Sequence, residues 1–274
     1  MILGLVSMQR NRGPWLVEWF AFHYMIGFRK FYYYAHQCED NTAEILLKLQ
    51  KRLDITAIAV NKQGDMLQLS AYQHACDNHM DEVDWMAFID GDEFIFPTNA
   101  NTMQEALWPY NYLPVSAVGA YNVNFGSSGH INEPDGLIVE NYTMRANIEG
   151  FMPHRRVKSI VKGRQKISVS ACSNVFVTPL GTVDEQMRPI YWGYIPNHVP
   201  TFEQFRFNHY PCQSREYYEK FKRFSGHADA AKDGAREEDW WECFNTNDEP
   251  DTSMDRFKQQ LRATIAELTA AMEA

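Results

Sequence analysis

Four short apolar runs, each separated from the next by a segment with helical spacing, fill the first 96 residues of the chain. This alternation constrains the fold more than any other feature, because strands that recur between helices pair in parallel and bury both faces. Ile2–Ser7 reads as the first strand. Gly13-Pro14 then opens a helix on which Trp15, Leu16, Trp19, Phe20 and His23 recur, with Gly27 suited to its end. Phe28–Tyr34 reads as the second strand, Ile55–Val60 as the third and Trp85–Ile89 as the fourth. Asn41 and Glu44 have capping-box spacing ahead of Ile45, Leu46, Leu49 and Leu53, and Leu67–Met80 carries a helical Leu/Ala/Tyr pattern. The expectation is a mostly parallel central sheet flanked by helices, an α/β fold.

In such sheets ligands gather at the carboxyl ends of the strands. The fourth run ends in Asp90-Gly91-Asp92-Glu93, and a further apolar run, Phe94-Ile95-Phe96, follows at once. A plain solvated acidic turn does not need such flanks. In extended backbone Asp90 and Asp92 point to the same side, and Gly91 leaves room for an anion to approach. Carboxylate oxygens suit Mg²⁺ or Mn²⁺, which also bind substrate phosphates. The residues alone therefore predict a metal–diphosphate site at Asp90 and Asp92. An Asp-nucleophile phosphatase, with Asp90 attacking, is the alternative, since that motif also follows an apolar strand.

Other classes are excluded. A formal charge of −9 argues against a general nucleic-acid binder. No apolar run is long enough for a transmembrane segment. The start Met1-Ile2-Leu3-Gly4-Leu5-Val6 lacks a basic leader region and reads as strand. Cys38, Cys76, Cys172, Cys212 and Cys243 form no CxxC pair, so reduced thiols and a cytoplasmic address are expected. The middle of the chain carries the loop Phe125-Gly126-Ser127-Ser128-Gly129-His130, then Glu133-Pro134-Asp135-Gly136. A basic stretch follows at Arg155, Arg156, Lys158, Lys162, Arg164 and Lys166. It reads as a charged strand edge or as a face for a donor diphosphate or an anionic membrane, with Lys158 the residue expected on phosphate. The simplest organisation is one domain over 1–274, with a nucleotide-binding half (1–100), an acceptor-side half (101–212) and a C-terminal helical extension (213–274).

Several motifs, in order, resemble one group of glycosyltransferases. Arg10-Asn11-Arg12-Gly13-Pro14-Trp15 with His23, Gly27-Phe28 and Phe31–Tyr34 resembles its opening. Cys38-Glu39-Asp40-Asn41-Thr42 is similar to its Cys-Asp-Asp-Gly-Thr turn, and Asp90–Phe94 to its Asp-x-Asp-Glu-Phe motif. Phe125–Gly129 matches its Phe-Gly-Ser-Ser-Gly loop. Asn208-His209-Tyr210 with Ser214 and Lys220 resembles a later segment, and Asn247–Glu249 with Asp251–Ser253 its acidic close. The group is the family-2-like GT-A glycosyltransferases that shade into family 92, the former domain of unknown function 23. Arg12, Gln37 and Gln213 depart from its usual residues, as do Cys172 and Asn174, where a His is expected.

The resemblance implies a GT-A (Rossmann-like) fold and a nucleotide-sugar donor, with UDP expected. It also implies Mn²⁺ or Mg²⁺, inversion at the anomeric carbon, and a glycan, glycolipid or other hydroxyl acceptor. Asp92 would be the main metal ligand, Asp90 would contact the ribose or the metal, and His209 would be a late ligand from the matched motif. Arg10, Asp40, Asp90, Lys158 and Lys220 would hold the donor. Glu133 and Asp135 are the candidate catalytic bases. A non-catalytic carbohydrate-binding relative is a third reading.

Overall fold

The computed structural model describes residues 1–61, 66–224 and 235–273. Its first half follows the expected alternation: β1 (Leu3–Gln9), α1 (Gly13–Met25), β2 (Phe28–His36), α2 (Thr42–Leu49), β3 (Asp54–Val60), α3 (Leu67–His79) and β4 (Trp85–Phe88). The two parallel pairings of β1, to β2 and to β4, and that of β2 to β3 align the carboxyl ends of these strands. Helix α1 is buried on more than one face. Trp15, Leu16, Trp19, Phe20 and Phe22 are all in the core, so apolar side chains ring it. Gly27 follows it at φ +118°, a left-handed conformation that glycine adopts without strain.

One local expectation changes. Asn41 precedes α2 but makes no capping bond. Asp40 takes that role: its carboxylate accepts from the Thr42 N–H (3.0 Å) and, across the loop, from the Gly13 N–H that opens α1 (2.9 Å). Two helix starts are thus tied by one side chain.

Beyond β4 come β5 (Glu93–Pro97), α4 (Met103–Leu107), β6 (Ala117–Asn124), α5 (Ile138–Asn141), β7 (Met144–Arg145) and β8 (Val157–Lys162). Short strands β9 (Ser168–Val169), β10 (Phe176–Val177), β11 (Thr182–Asp184) and β12 (Pro189–Ile190) lead to β13 (Phe205–His209). The chain closes with α6 (Arg215–Tyr217), α7 (Glu238–Phe244), β14 (Glu249–Pro250) and α8 (Asp255–Glu273). The main sheet runs β12-β11-β6-β8-β4-β1-β2-β3, and β13 joins it by pairing with β5 and β6. It is a mostly parallel α/β sheet into which β8 inserts antiparallel between β4 and β6.

That insertion corrects the reading of the basic stretch. β8 is a central strand, and Lys158 on it is only 5% exposed. A buried ammonium needs an anionic partner. The C-terminal helix packs back on the first half. Phe257, Leu261 and Leu268 of α8 form one buried stripe, and the Phe257 ring stands 5.5 Å from that of Phe22 in α1.

Candidate active site

The Asp90–Asp92 stretch is a turn between β4 and β5, closed by the Glu93 N–H on the Asp90 carbonyl (3.2 Å). The two carboxylates are therefore not displayed along an extended strand, and the turn gives each its own set of partners. Gly91 is small for a protein reason as well. A Cβ there would lie 2.5 Å from the Gln9 side chain at the end of β1.

Asp90 belongs to one cluster. Its oxygens accept from Gln68 Nε2 of α3 (2.6 Å) and from Lys158 Nζ (2.7 Å). Lys158 also stands 3.3 Å from Glu93. Burial would lower the Lys158 ammonium, but Asp90 and Glu93 outweigh it and raise it above the ordinary value. Glu93 behaves differently. Burial pushes its carboxyl up to about 8 against the pull of Lys158, and the Asp90 and Asp92 charges add to the rise. The ammonium is thus matched mainly to Asp90.

Asp92 belongs to a second cluster. It is 6% exposed. One oxygen takes the Lys222 ammonium, and the other lies 3.6 Å from His209 Nε2 on β13. Burial alone would raise the Asp92 carboxyl, but Lys222, His209 and Arg12 together hold it well below the usual carboxylate range. Burial depresses the His209 imidazole below its ordinary value, with Asp92 opposing. Arg12 completes the cluster. Its guanidinium donates to the Gly91 carbonyl (3.0 Å) and the Tyr217 hydroxyl (2.8 Å), and it lies over the Trp15 ring, 4.5 Å from the centroid. Next to Ser214, Gln213 is wholly buried at φ +46°, and neither end of its amide is hydrogen-bonded among the described residues. Such an unmet group is costly unless a ligand engages it.

The donor set fits a divalent cation in part. A separation of 3.6 Å is too long for a hydrogen bond between Asp92 and His209, and a carboxylate with an imidazole suits Mn²⁺. Among the described residues no group of three or more His, Cys, Asp or Glu is arranged to hold a metal. Substrate oxygens and water would have to complete the coordination. Asp90 stands with Lys158 and Gln68 instead of with this pair.

The other expected residues scatter. Arg10 is half-buried beyond β1, and Asp40 caps the two helices. Lys220 is exposed and paired with Glu216 (2.5 Å), while Lys222 reaches Asp92. Residues Tyr218–Lys222 form a π-turn after α6, so helical spacing in the sequence did not single out Lys222. Both Glu133 oxygens are engaged: one accepts from Trp15 Nε1 (3.3 Å), the other from the Tyr142 hydroxyl (2.9 Å) and Ser214 Oγ (2.5 Å). Asp135 is exposed on the same loop. The glycine loop before it packs on the protein. A Cβ at Gly126 would lie 2.4 Å from the Thr246 carbonyl, and the Ser127 and Ser128 N–H groups donate to Asn245 and Asn247. His23 and Glu18 are buried and structural, and Trp240 stacks on Tyr218. Sequence reading missed Gln68, Lys222 and any role for Arg12.

The sequence model described as "Glycosyltransferase family 92" matches residues 6–227. A glycosyltransferase family 92 protein of Oryza sativa subsp. japonica is 28% identical over 159 residues, 57% of this chain and 26% of that protein. One of Ricinus communis is 28% identical over 164 residues, 58% of this chain and 28% of that protein. The chain thus spans little more than a quarter of the length of these curated relatives. Among solved structures, residues 1–349 of S. aureus TarS in complex with UDP align over 59% of this chain and 47% of that chain, with 13% identity and a TM-score of 0.38. Glucosyl-3-phosphoglycerate synthase from Mycobacterium tuberculosis, in complex with Mn²⁺, UDP and glucosyl-3-phosphoglycerate, aligns over 44% of each chain, with 10% identity and a TM-score of 0.32.

Proposed function

The chain belongs to glycosyltransferase family 92, and from that premise we propose that it moves a sugar from a nucleotide-sugar donor, UDP-linked, to a hydroxyl of a glycan or glycolipid acceptor, with inversion. The observation that carries the reading is the buried Asp92 beside His209, with Lys222 and Arg12 around it, at the carboxyl ends of the parallel strands. A nucleoside diphosphate leaving group gathers negative charge, and preorganised cations next to it are an effective way to stabilise that charge. Asp92 and His209 would hold Mn²⁺ or Mg²⁺, which when bound supplies Lewis-acid neutralisation of the diphosphate.

The chain's own residues supply the rest. Lys158 and Lys222 bring positive charge beside Asp90 and Asp92, and the buried Gln213 offers an unengaged amide. Arg12 holds the Gly91 carbonyl and so fixes the turn. Arg10, Asp40 and Lys220 are assigned to the donor side from the matched motifs. For Asp40 the assignment is indirect, through the loop it ties. Glu133, engaged by three donors, positions the loop, and the exposed Asp135 takes the proton from the acceptor hydroxyl. The phosphatase reading loses support, because both Asp90 oxygens are held by Gln68 and Lys158. The five cysteines are unpaired and support a cytoplasmic address. No helix among the described residues is long and apolar enough to cross a membrane.

The test is a panel of UDP-sugars with and without Mn²⁺, read by thermal shift and by UDP release. Stabilisation and turnover by at least one UDP-sugar are expected. A protein that neither binds UDP nor releases it from any donor would overturn the enzyme reading, and binding without release would favour the non-catalytic relative.

A further inference from the structure

Tyr191, Trp192 and Tyr194 are 78%, 61% and 39% exposed. Three large aromatic side chains in four residues, open to water, are unusual unless something covers them. Their place in the fold narrows what that is. Along β8, alternate residues turn their backbone groups to opposite flanks. The even-numbered Lys162 and Arg156 bond to the β6 flank, at Ser116 and Asn122. The odd-numbered residues turn theirs to the other flank, where β4 pairs with β8 as far as Ala87 opposite Ile160. β4 stops at Phe88, where the chain leaves for the Asp90 turn. Beyond that point its flank is taken by residues 193–195. Val157 N–H donates to the Gly193 carbonyl (2.9 Å), Ile195 N–H donates to the Arg155 carbonyl (2.9 Å), and Tyr194 bridges Arg156. The aromatic segment therefore continues the line of β4 at the place where β4 delivers Asp90. The next residue of β8, Lys158, is the one that reaches Asp90.

We propose that Tyr191, Trp192 and Tyr194 form a stacking subsite for the pyranose rings of a carbohydrate acceptor, at the mouth of the candidate site. The proposal rests on the glycosyltransferase reading and names the acceptor class for that site. Aromatic rings bury the apolar C–H faces of sugars, while the Tyr hydroxyl and Trp N–H meet sugar hydroxyls. The backbone is already fixed by one hydrogen bond to Val157 of β8 and one to Arg155 just before it. Gly193 is pressed onto Asn174, where a Cβ would lie 2.7 Å from the Asn174 Cβ. Little ordering cost then remains for binding. Continuity with the Asp90 turn favours a sugar chain over a membrane or a protein partner, since the acceptor must enter beside the donor. Arg156, exposed beside Tyr194, adds a donor for sugar oxygens or an acidic sugar.

The experiment uses the full chain and the double variant Tyr191→Ala/Trp192→Ala on an array of pyranose oligosaccharides, with UDP and Mn²⁺ present. UDP affinity is measured in parallel by calorimetry, and adsorption to phosphatidylcholine/phosphatidylserine vesicles by flotation. Both side chains are exposed, so the double variant keeps the wild-type thermal midpoint. The expected result is wild-type binding to at least one oligosaccharide class, weakened at least tenfold in the variant, with UDP affinity unchanged. Absence of any oligosaccharide signal from a wild-type protein that binds UDP would overturn the subsite. So would equal signals from both proteins, or a variant that loses only vesicle adsorption. Loss of UDP binding by the wild type would instead sink the enzyme reading on which the proposal rests.

Discussion

The Nε2 atom of His209 stands 3.6 Å from Oδ1 of Asp92, while the other Asp92 oxygen holds the Lys222 ammonium. The aspartate thus faces an internal cation on one side and a potential metal ligand on the other. A divalent ion held by Asp92 and His209 would share the carboxylate with Lys222 or displace it.

Asp92→Asn is expected to lower transfer by at least about 100-fold, the scale on which one preorganised charge contact acts. It is also expected to destabilise the fold. Asp92 is buried, and its carboxylate balances the charges of Lys222 and Arg12 beside His209. Removing one partner of a buried ion pair costs about 3 kcal/mol. Urea unfolding and donor turnover measure the two effects. A variant with wild-type stability and turnover would show that Asp92 anchors neither.

Lys222→Gln should bind Mn²⁺ alone at least about tenfold more tightly than wild type, because the competing cation is gone while an amide still reaches the carboxylate. UDP affinity should fall in the same variant, since the diphosphate loses a positive neighbour. Lys222→Arg keeps the charge and adds a bidentate fork, so it should bind Mn²⁺ no better than wild type. Calorimetry on the three proteins is decisive, and Mn²⁺ affinity independent of residue 222 would remove the competition.

Much of the fold was legible because hydrophobic period is a local signal. The β1–α3 alternation follows from apolar runs and helical spacing, and the Leu67 start of α3 is reproduced to the residue. The insertion of β8 was not legible. Val157–Lys162 carries lysines at its second and last positions and reads as an edge, yet Lys158 is buried because Asp90, on the turn after β4, neutralises it. Charge pairing across 68 residues leaves no local trace. Asp90 and Asp92 were visible as a motif, but their separation into two clusters depends on a turn and on lysines distant in sequence. Lys222 escaped for a geometric reason: it lies five residues after Tyr217, off the 3.6-residue period, on a π-helical stretch that the sequence pattern does not announce.

The two acidic residues of the Glu133–Asp135 loop should behave differently. Asp135→Asn removes the proposed base without touching a structural bond, so it should lower kcat by about 100-fold or more, leave the KM for donor unchanged and keep the thermal midpoint. Glu133→Gln keeps shape but disturbs the bonds from Trp15, Tyr142 and Ser214. It should lower the midpoint and reduce kcat less. If Asp135→Asn turns over within a few-fold of wild type while Glu133→Gln is inactive at full stability, Glu133 is the base.

Acid should destabilise the fold through His23. The imidazole is wholly buried in α1, with Nδ1 2.8 Å from the Trp19 carbonyl and Nε2 accepting from the Ile95 N–H (3.4 Å). A proton on Nε2 would face another N–H, and burial already lowers the group from 6.5 to about 3. The sign follows. Between those values the unfolded chain takes up a proton that the folded chain refuses, so stability falls as pH drops below about 6.5. At pH 5 the contribution lost is about 2 kcal/mol, from 1.5 pH units at 1.36 kcal/mol each. His23→Phe loses the hydrogen bonds and is less stable at pH 7, but it has no proton to take up. The stability gap between wild type and His23→Phe should therefore narrow by about 2 kcal/mol between pH 7 and pH 5 in urea titrations. A gap that stays constant or widens over that range would mean that the folded protein accommodates the charged imidazole.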